Sequence, residues 1–89
     1  MRYKIILEKD EEGGYSVYVP ALKGCFTQGE TFEEAVENAR EAIEGFIETL
    51  KAHDQPIPKD EELVFTEVAV PMLSEYLLKA NAQAVEANY

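Results

Sequence analysis

Residues 31–53 carry the pattern of one long helix whose start is set by its own side chains. Thr31 and Glu34 form a capping box, in which the threonine hydroxyl accepts a hydrogen bond from the third helical amide and the glutamate reaches back to the amide of the cap residue. The apolar positions then recur every three or four residues: Phe32, Ala35, Val36, Ala39, Ala42, Ile43, Phe46, Ile47 and Leu50. This stripe predicts roughly 30 Å of amphipathic helix ending near His53. The rest of the chain must therefore supply a surface that covers its apolar face.

Three short segments with strand patterns precede this helix. Apolar and polar side chains alternate over residues 2–9 and 15–20, which is period-two strand behaviour. Gly13 and Gly14 lie between the two runs and supply the positive-φ positions of a tight hairpin, so these strands are expected to be antiparallel. Residues 25–28 are compatible with a brief third strand.

A proline-rich loop and a fourth alternating run follow the helix. Pro56 and Pro58 cannot continue a helix, so residues 54–62 are expected to return the chain to the sheet. Residues 63–70 alternate again, and a strand-helix-strand crossover would place this strand parallel to the one it joins. The remaining residues, 71–89, favour a helical tail of about three turns.

The order of these elements predicts an α+β fold, β-β-β-α-β with a terminal helix. We expect a three-stranded antiparallel meander, a fourth strand joined in parallel, and one long helix packed on one face of the sheet. Residues 1–70 would form this domain. Residues 71–89 would be a tail rather than an independent domain.

The charge of the chain is strongly acidic. Eight Lys and Arg residues against 18 Asp and Glu residues give a formal net charge of −10. Such a surface repels phosphate backbones and attracts basic partners, so direct DNA binding is disfavoured. No apolar stretch approaches the roughly 20 residues of a membrane helix, and the first apolar run reaches charges after three residues, too soon for the core of a signal peptide. A cytoplasmic protein without a membrane partner is expected.

Two sets of residues are candidates for contacts with another protein. One helix covers only one sheet face, so the apolar residues of the opposite face and of the tail are candidate partner or oligomer contacts: Ile6, Tyr18, Phe65, Met72, Tyr76 and Leu77. The solvated helix face offers candidates for electrostatic docking of a basic protein: Glu37, Glu41, Glu44 and Glu48. Because a chain of 89 residues builds a small core, a homo-oligomer, either a dimer or a tetramer, is also expected.

Catalytic chemistry has little support in the sequence. Cys25 would need a base, and the only histidine, His53, lies past the far end of the helix. A metal-dependent nuclease would require Glu8 or Asp10, a helix glutamate and Glu67 to converge, whereas such sites usually draw aspartates from strand interiors. We expect a protein that is not an enzyme and has no catalytic residues, metal or cofactor. A residual metal-dependent nuclease stays as an alternative.

The stretch between the second strand and the helix, "VPALKGCFTQGETFEEA", carries a distinctive set of residues. Each has a structural task in ending a strand, permitting a turn, filling a short strand or capping the helix: Pro20, Gly24, Cys25, Gly29, Thr31 and Glu34. Together with the hairpin strand "GGYSVYVP", these residues resemble the HicB-like antitoxin family. Its members carry a proline, then Gly-Cys, Thr-x-Gly-x-Thr and Glu-Ala before a similar helix.

This resemblance covers about residues 2–70 and implies a partial ribonuclease-H-like domain that forms oligomers. Members of the family neutralise HicA, a small basic ribonuclease toxin, by covering its active site. The resemblance therefore implies a HicA-like toxin as the partner, with a stand-alone oligomeric HicB-like domain of unknown ligand as the alternative. Fuller members append a DNA-binding domain, which the 19 residues after Val70 are too few to build.

Overall fold

Three strands and one helix make up the part of the chain that the computed structural model describes, residues 1–71. Their bounds are β1 Ile6–Lys9, β2 Tyr15–Tyr18, β3 Phe26–Gly29 and α1 Phe32–Ala52. The strands form one antiparallel sheet in the order β1-β2-β3, and α1 packs against one face of it. The predicted α+β architecture, a three-stranded meander with one long helix, is confirmed.

The start of α1 confirms the capping prediction with one difference. The Thr31 hydroxyl accepts a hydrogen bond from the amide of Glu34 at 3.0 Å. The Glu34 carboxylate, however, accepts its bond from the amide of Glu30 and not from that of Thr31. The two side chains therefore satisfy one amide inside the first turn and one just before it, which still fixes where the helix begins.

Two adjoining clusters form the core between the sheet and α1. In the first, Val17 of β2 packs against Ala35 and Ala39, whose small side chains let the helix approach the sheet closely. In the second, Val19 and Leu22 pack with a group of residues drawn from the start of the chain, the loop before β3 and the helix: Tyr3, Ile5, Cys25, Ala42, Ile43 and Phe46. Most of the apolar stripe of the sequence thus faces the core, whereas Phe32 and Val36, near the start of α1, are 52% and 38% exposed.

The segment of residues 63–70 differs from the sequence prediction. It belongs to no strand of the described part of the chain, and its valines are exposed, with Val64 at 91% and Val68 at 80% of full exposure. A period-two pattern describes which side chains share a face, but a strand forms only when its backbone groups find a hydrogen-bonding neighbour. The structure of residues 1–71 supplies no such neighbour for this segment.

The loop before that segment is held beside the start of the chain. The Lys4 amide donates to Asp60 Oδ1 at 3.1 Å, and Lys4 Nζ donates to Asp60 Oδ2 and to the carbonyl of Glu61, both at 2.8 Å. The Tyr3 hydroxyl also donates to the carbonyl of Pro58. These contacts, which we call the tether, bring residues 58–61 to the entrance of β1.

Acid should weaken the tether. Hydrogen bonds from the side chain and then the amide of Lys4 lower the pKa of Asp60. A carboxyl group with a lowered folded-state pKa stabilises the fold above its unfolded pKa, about 3.9, and this contribution is lost as pH falls through the folded-state value. We expect the unfolding free energy of the natural chain to fall more steeply below about pH 4 than that of Asp60→Asn.

Urea denaturation at a series of pH values measures this difference. Lys4→Met removes the other member of the same pair and should reduce the acid sensitivity in the same way. Equal slopes in the natural chain and in both variants would contradict the role of the tether.

Three predicted contact residues, Met72, Tyr76 and Leu77, and nearly all of the predicted tail helix lie outside the described residues. The proposed domain boundary at residue 70 stays a prediction. Within residues 1–71, α1 is not apolar enough to cross a membrane.

Candidate functional site

The loop that holds Cys25 is structural. Cys25 is buried in the second core cluster, and burial raises the pKa of its thiol, so the thiolate that a nucleophile requires is disfavoured. His53 is the C-cap of α1, where its ring Nδ1 lies 2.9 Å from the carbonyl oxygen of Thr49. Cys25 therefore has a structural role in the core, and His53 has one at the end of α1.

The outer face of the sheet, turned away from α1, carries a row of apolar side chains that we call the outer row. Ile6 of β1 lies opposite Tyr18 of β2, and Tyr18 lies opposite Phe26 of β3. The rings of Tyr18 and Phe26 are 6.2 Å apart, and Phe26 is 68% exposed. Adjacent aromatic side chains that lie side by side in water are typical of a protein-binding surface.

The solvent side of α1 carries the second candidate surface, the acidic ridge, formed by Glu37, Glu41, Glu44 and Glu48. Because successive helical residues are about 100° apart, these four side chains fall within an arc of about 60°. All four are exposed. The ridge lies opposite the face through which the helix packs on the sheet, so it concentrates negative charge on one side of the domain.

Arg40 divides the acidic ridge into paired and unpaired members. Its guanidinium donates to Glu37, through Nε at 3.0 Å, and to Glu44 at 2.8 Å. The hydrogen bond from Arg40 lowers the pKa of Glu37. Within residues 1–71, neither Glu41 nor Glu48 forms an ion pair. These two carboxylates are therefore the ridge members that no ion pair within residues 1–71 engages.

The two surfaces face in opposite directions. The outer row lies on one side of the sheet, and the acidic ridge lies beyond the helix on the other. Phe65 was expected to join Ile6 and Tyr18, but it belongs to no strand of the sheet and is 73% exposed, so the structure does not add it to the outer row. A compact partner that contacts the ridge would leave the row uncovered.

Sequence reasoning did not assign Phe26 to the outer row, and it did not recognise that Arg40 pairs with members of the acidic ridge. The alternation of the third strand was the signal for Phe26, because Cys25 turns into the core and the next residue must turn outward. The signal for Arg40 was its spacing, three residues after Glu37 and four before Glu44, which puts ion-pairing groups on one helix face.

Among the described residues, no cluster of three or more His, Cys, Asp or Glu side chains could hold a metal ion. The acids that a nuclease would use, Glu8, Asp10 and Glu67, are therefore not assembled into such a cluster with a helix glutamate.

Comparison with known proteins shows which family this chain belongs to. Residues 3–80 match the model of a family described as the HicB-like antitoxin of the bacterial toxin-antitoxin system. UPF0150 protein Ta0767 of Thermoplasma acidophilum is 57% identical over 60 residues, which cover 67% of this chain and 87% of that protein. UPF0150 protein ssr1765 of Synechocystis is 53% identical over 62 residues, or 70% and 78% of the two chains.

Two HicB proteins are also similar to this chain. Antitoxin HicB 1 of Photorhabdus laumondii is 43% identical over 58 residues, which cover 65% of this chain and 37% of that protein. The crystal structure of the N-terminal domain of Burkholderia pseudomallei antitoxin HicB superimposes with a TM-score of 0.53 at 34% identity, over 90% of this chain and 82% of that one. The motif residues, the fold and these matches agree, and the chain belongs to the HicB-like antitoxin family.

Proposed function

We propose that this protein is a non-catalytic antitoxin that binds a small basic HicA-like ribonuclease toxin and covers its active site. Family membership carries the proposal, because binding a toxin is the general role of such antitoxins. The net charge of −10 supports it independently. A basic RNA-binding surface and an acidic blocker have complementary fields, which speed encounter and favour the correct partner.

The acidic ridge is the surface that we assign to this contact. Its four carboxylates lie on one exposed helix face, and Glu41 and Glu48 have no ion pair within the described residues. A cationic toxin surface would gain these two charges without first breaking the pairs that Arg40 makes with Glu37 and Glu44. The contact would place the helix over basic residues that otherwise hold RNA phosphates.

Co-expression with a HicA-like toxin encoded beside this chain tests the function. We expect growth arrest and RNA cleavage by the toxin to be relieved, and the two proteins to purify together. If this chain is soluble and the toxin still arrests growth, the antitoxin proposal fails, and the stand-alone domain of unknown ligand takes its place. Cleavage of RNA by the pure chain with Mg²⁺ or Mn²⁺ would instead support the nuclease alternative.

Neutralising Glu41 and Glu48 together should slow toxin binding. We expect Glu41→Gln/Glu48→Gln to reduce the association rate constant by about tenfold at low salt, because steering depends on local charge. Stopped-flow mixing or surface plasmon resonance measures this rate. The matched control, Glu11→Gln/Glu12→Gln, makes the same change in net charge in the exposed β1–β2 turn and should leave the rate nearly unchanged.

A variant of the outer row tests the alternative that the toxin binds the sheet face. Phe26→Ser removes the most exposed ring of that row without changing the charge. If Phe26→Ser weakens toxin binding and the ridge variant does not, the toxin binds the sheet face and the assignment to the acidic ridge is wrong. Equal slowing by the ridge variant and its matched control would show that net charge alone governs the encounter.

A further inference from the structure

A pocket of about 310 Å³ lies between α1 and the loop that enters β3. On the helix side it is lined by Ala42, Phe46 and Leu50, and on the loop side by Gly24 and Cys25. The three helix residues are only partly buried. The packing of the core therefore leaves apolar surface here that a further apolar group could cover.

Gly45, within α1, keeps this pocket open. The usual structural reasons for a glycine do not apply to it. Its φ is not in the positive region, and a Cβ atom built on it would meet nothing within 4 Å. Because glycine is less favourable than alanine in a helix interior, this position lowers the stability of α1 without allowing a closer contact in return. What the missing side chain provides is space in the pocket.

The acidic ridge runs directly into the pocket. Glu41, Gly45 and Thr49 follow one another at intervals of four residues, so they lie along one line of the helix surface. Glu41 is the only charged residue of the described chain that lines the pocket, and it forms no ion pair within residues 1–71. The Thr49 hydroxyl donates to the carbonyl of Gly45 at 3.0 Å, so it needs no polar partner from outside. The pocket therefore suits an apolar group that has positive charge beside it.

A groove on the other flank of α1 is larger, about 560 Å³, but it suits a cationic partner less well. Arg40 and Glu44 both line it, and they form an ion pair at 2.8 Å. A lysine or arginine of the partner would meet the Arg40 guanidinium there, and like charges in contact oppose binding. The pocket beside Glu41 is therefore the better match for a basic protein.

We propose that this pocket receives one apolar side chain of the toxin, while the acidic ridge holds the cationic surface around that side chain. The assignment rests on the proposed antitoxin function and adds a division of labour to it. The ridge speeds the approach of the two proteins. The pocket slows their separation, because an apolar side chain that leaves it returns to water. The toxin feature that fits is an aliphatic or aromatic side chain bordered by lysine or arginine.

Filling the pocket with a side chain of this protein tests the assignment. Gly45→Leu puts an apolar group into the space, and leucine also favours a helix interior more than glycine does, so the variant should be at least as stable as the natural chain. We expect its complex with the toxin to dissociate about ten- to a hundredfold faster, which is the effect of leaving one apolar side chain unburied. The association rate constant should change little, because the charges are the same.

Gly45→Ala repeats the test with the smallest possible filling, since its added carbon meets no atom within 4 Å. Its complex should dissociate about fourfold faster, the effect of one methylene group, although the pure variant is more stable. Ala52→Leu is the matched control, because Ala52 is exposed at the end of α1 and does not line the pocket. It should leave both rate constants nearly unchanged. Surface plasmon resonance with the toxin measures the rates, and urea denaturation of each pure variant measures its stability.

Four results would overturn the assignment. If the natural chain does not bind the toxin, the antitoxin function and the pocket assignment fail together. If the natural chain binds and both Gly45 variants dissociate at its rate, the antitoxin function stands and the pocket assignment alone is wrong. Equal acceleration by Ala52→Leu would show that the effect does not come from the pocket. A lower mass of pure Gly45→Leu than of the natural chain in light scattering would show that a second copy of this chain occupies the pocket.

Discussion

Replacing Gly29 with alanine is expected to remove a large part of the stability of the fold. Gly29 ends β3, where the chain turns into α1, and a Cβ atom built on it would lie 2.6 Å from Ala35 Cα and 2.9 Å from the carbonyl carbon of Glu34. The obstructing atoms are helix backbone, which cannot rotate away as a side chain can. Because Ala35 is fully buried, relieving the clash would lift the start of the helix off the core.

The expected loss exceeds about 4 kcal/mol, the range reserved for severe local disruption. A small domain has a total stability of only about 5–15 kcal/mol, so this loss would be a large fraction of it. Urea denaturation followed by far-ultraviolet circular dichroism measures the change. Toxin binding by Gly29→Ala should be lost in proportion to the loss of folded protein.

Gly45→Ala is the matched control for Gly29→Ala. Gly45 lies within α1, and a Cβ atom there would meet nothing within 4 Å. Because alanine favours a helix interior more than glycine does, this variant should be more stable by about 1 kcal/mol. If both glycine variants lose stability to a similar degree, the steric explanation for Gly29 is wrong.

Replacing Leu22 with alanine is the second large expected effect, about 2–5 kcal/mol of lost stability. Leu22 belongs to the loop between β2 and β3, yet it is only 1% exposed. Its amide donates to the carbonyl of Val19, and its carbonyl accepts from the amide of Cys25, both at 3.0 Å. These two bonds fold the loop inward, so that the leucine fills the second core cluster beside Ala42 and Phe46.

Equilibrium unfolding in urea measures the loss at Leu22. Lys23→Ala is the control, because Lys23 is the next residue of the same loop and is exposed. It should change the unfolding free energy by less than about 0.5 kcal/mol. A change of similar size in both variants, or a loss below about 1 kcal/mol for Leu22→Ala, would contradict the packing role of Leu22.

The features that sequence reasoning predicted correctly depend on contacts between near neighbours. The start of α1 follows from Thr31 and Glu34, three residues apart, and its buried face follows from a spacing of three and four. The hairpin follows from Gly13 and Gly14, whose φ angles are +96° and +87°. In each case the residues that determine the conformation lie within a few positions of one another.

The features that it missed depend on residues far apart in the chain. Nothing near Leu22 in the sequence shows that Val19, Ala42 and Phe46 close around it. The acidic ridge was recognised from helix spacing. Its position opposite the outer row, however, follows from which face of α1 meets the sheet. The partner-binding roles of both surfaces stay predictions.

Residues 63–70 are a case in which the local sequence pattern does not determine the structure. Their alternation indicates a strand, and the same alternation would be present whether the strand paired with its own chain, with another copy or with nothing. A helix satisfies its backbone hydrogen bonds within itself, so its sequence can specify it, whereas a strand needs a neighbour that its own sequence does not contain. Only the tertiary structure shows whether residues 63–70 pair as a strand. Asp60 is tethered to Lys4, which is 56 residues away, and the valines beyond Asp60 are exposed and pair with no strand within residues 1–71.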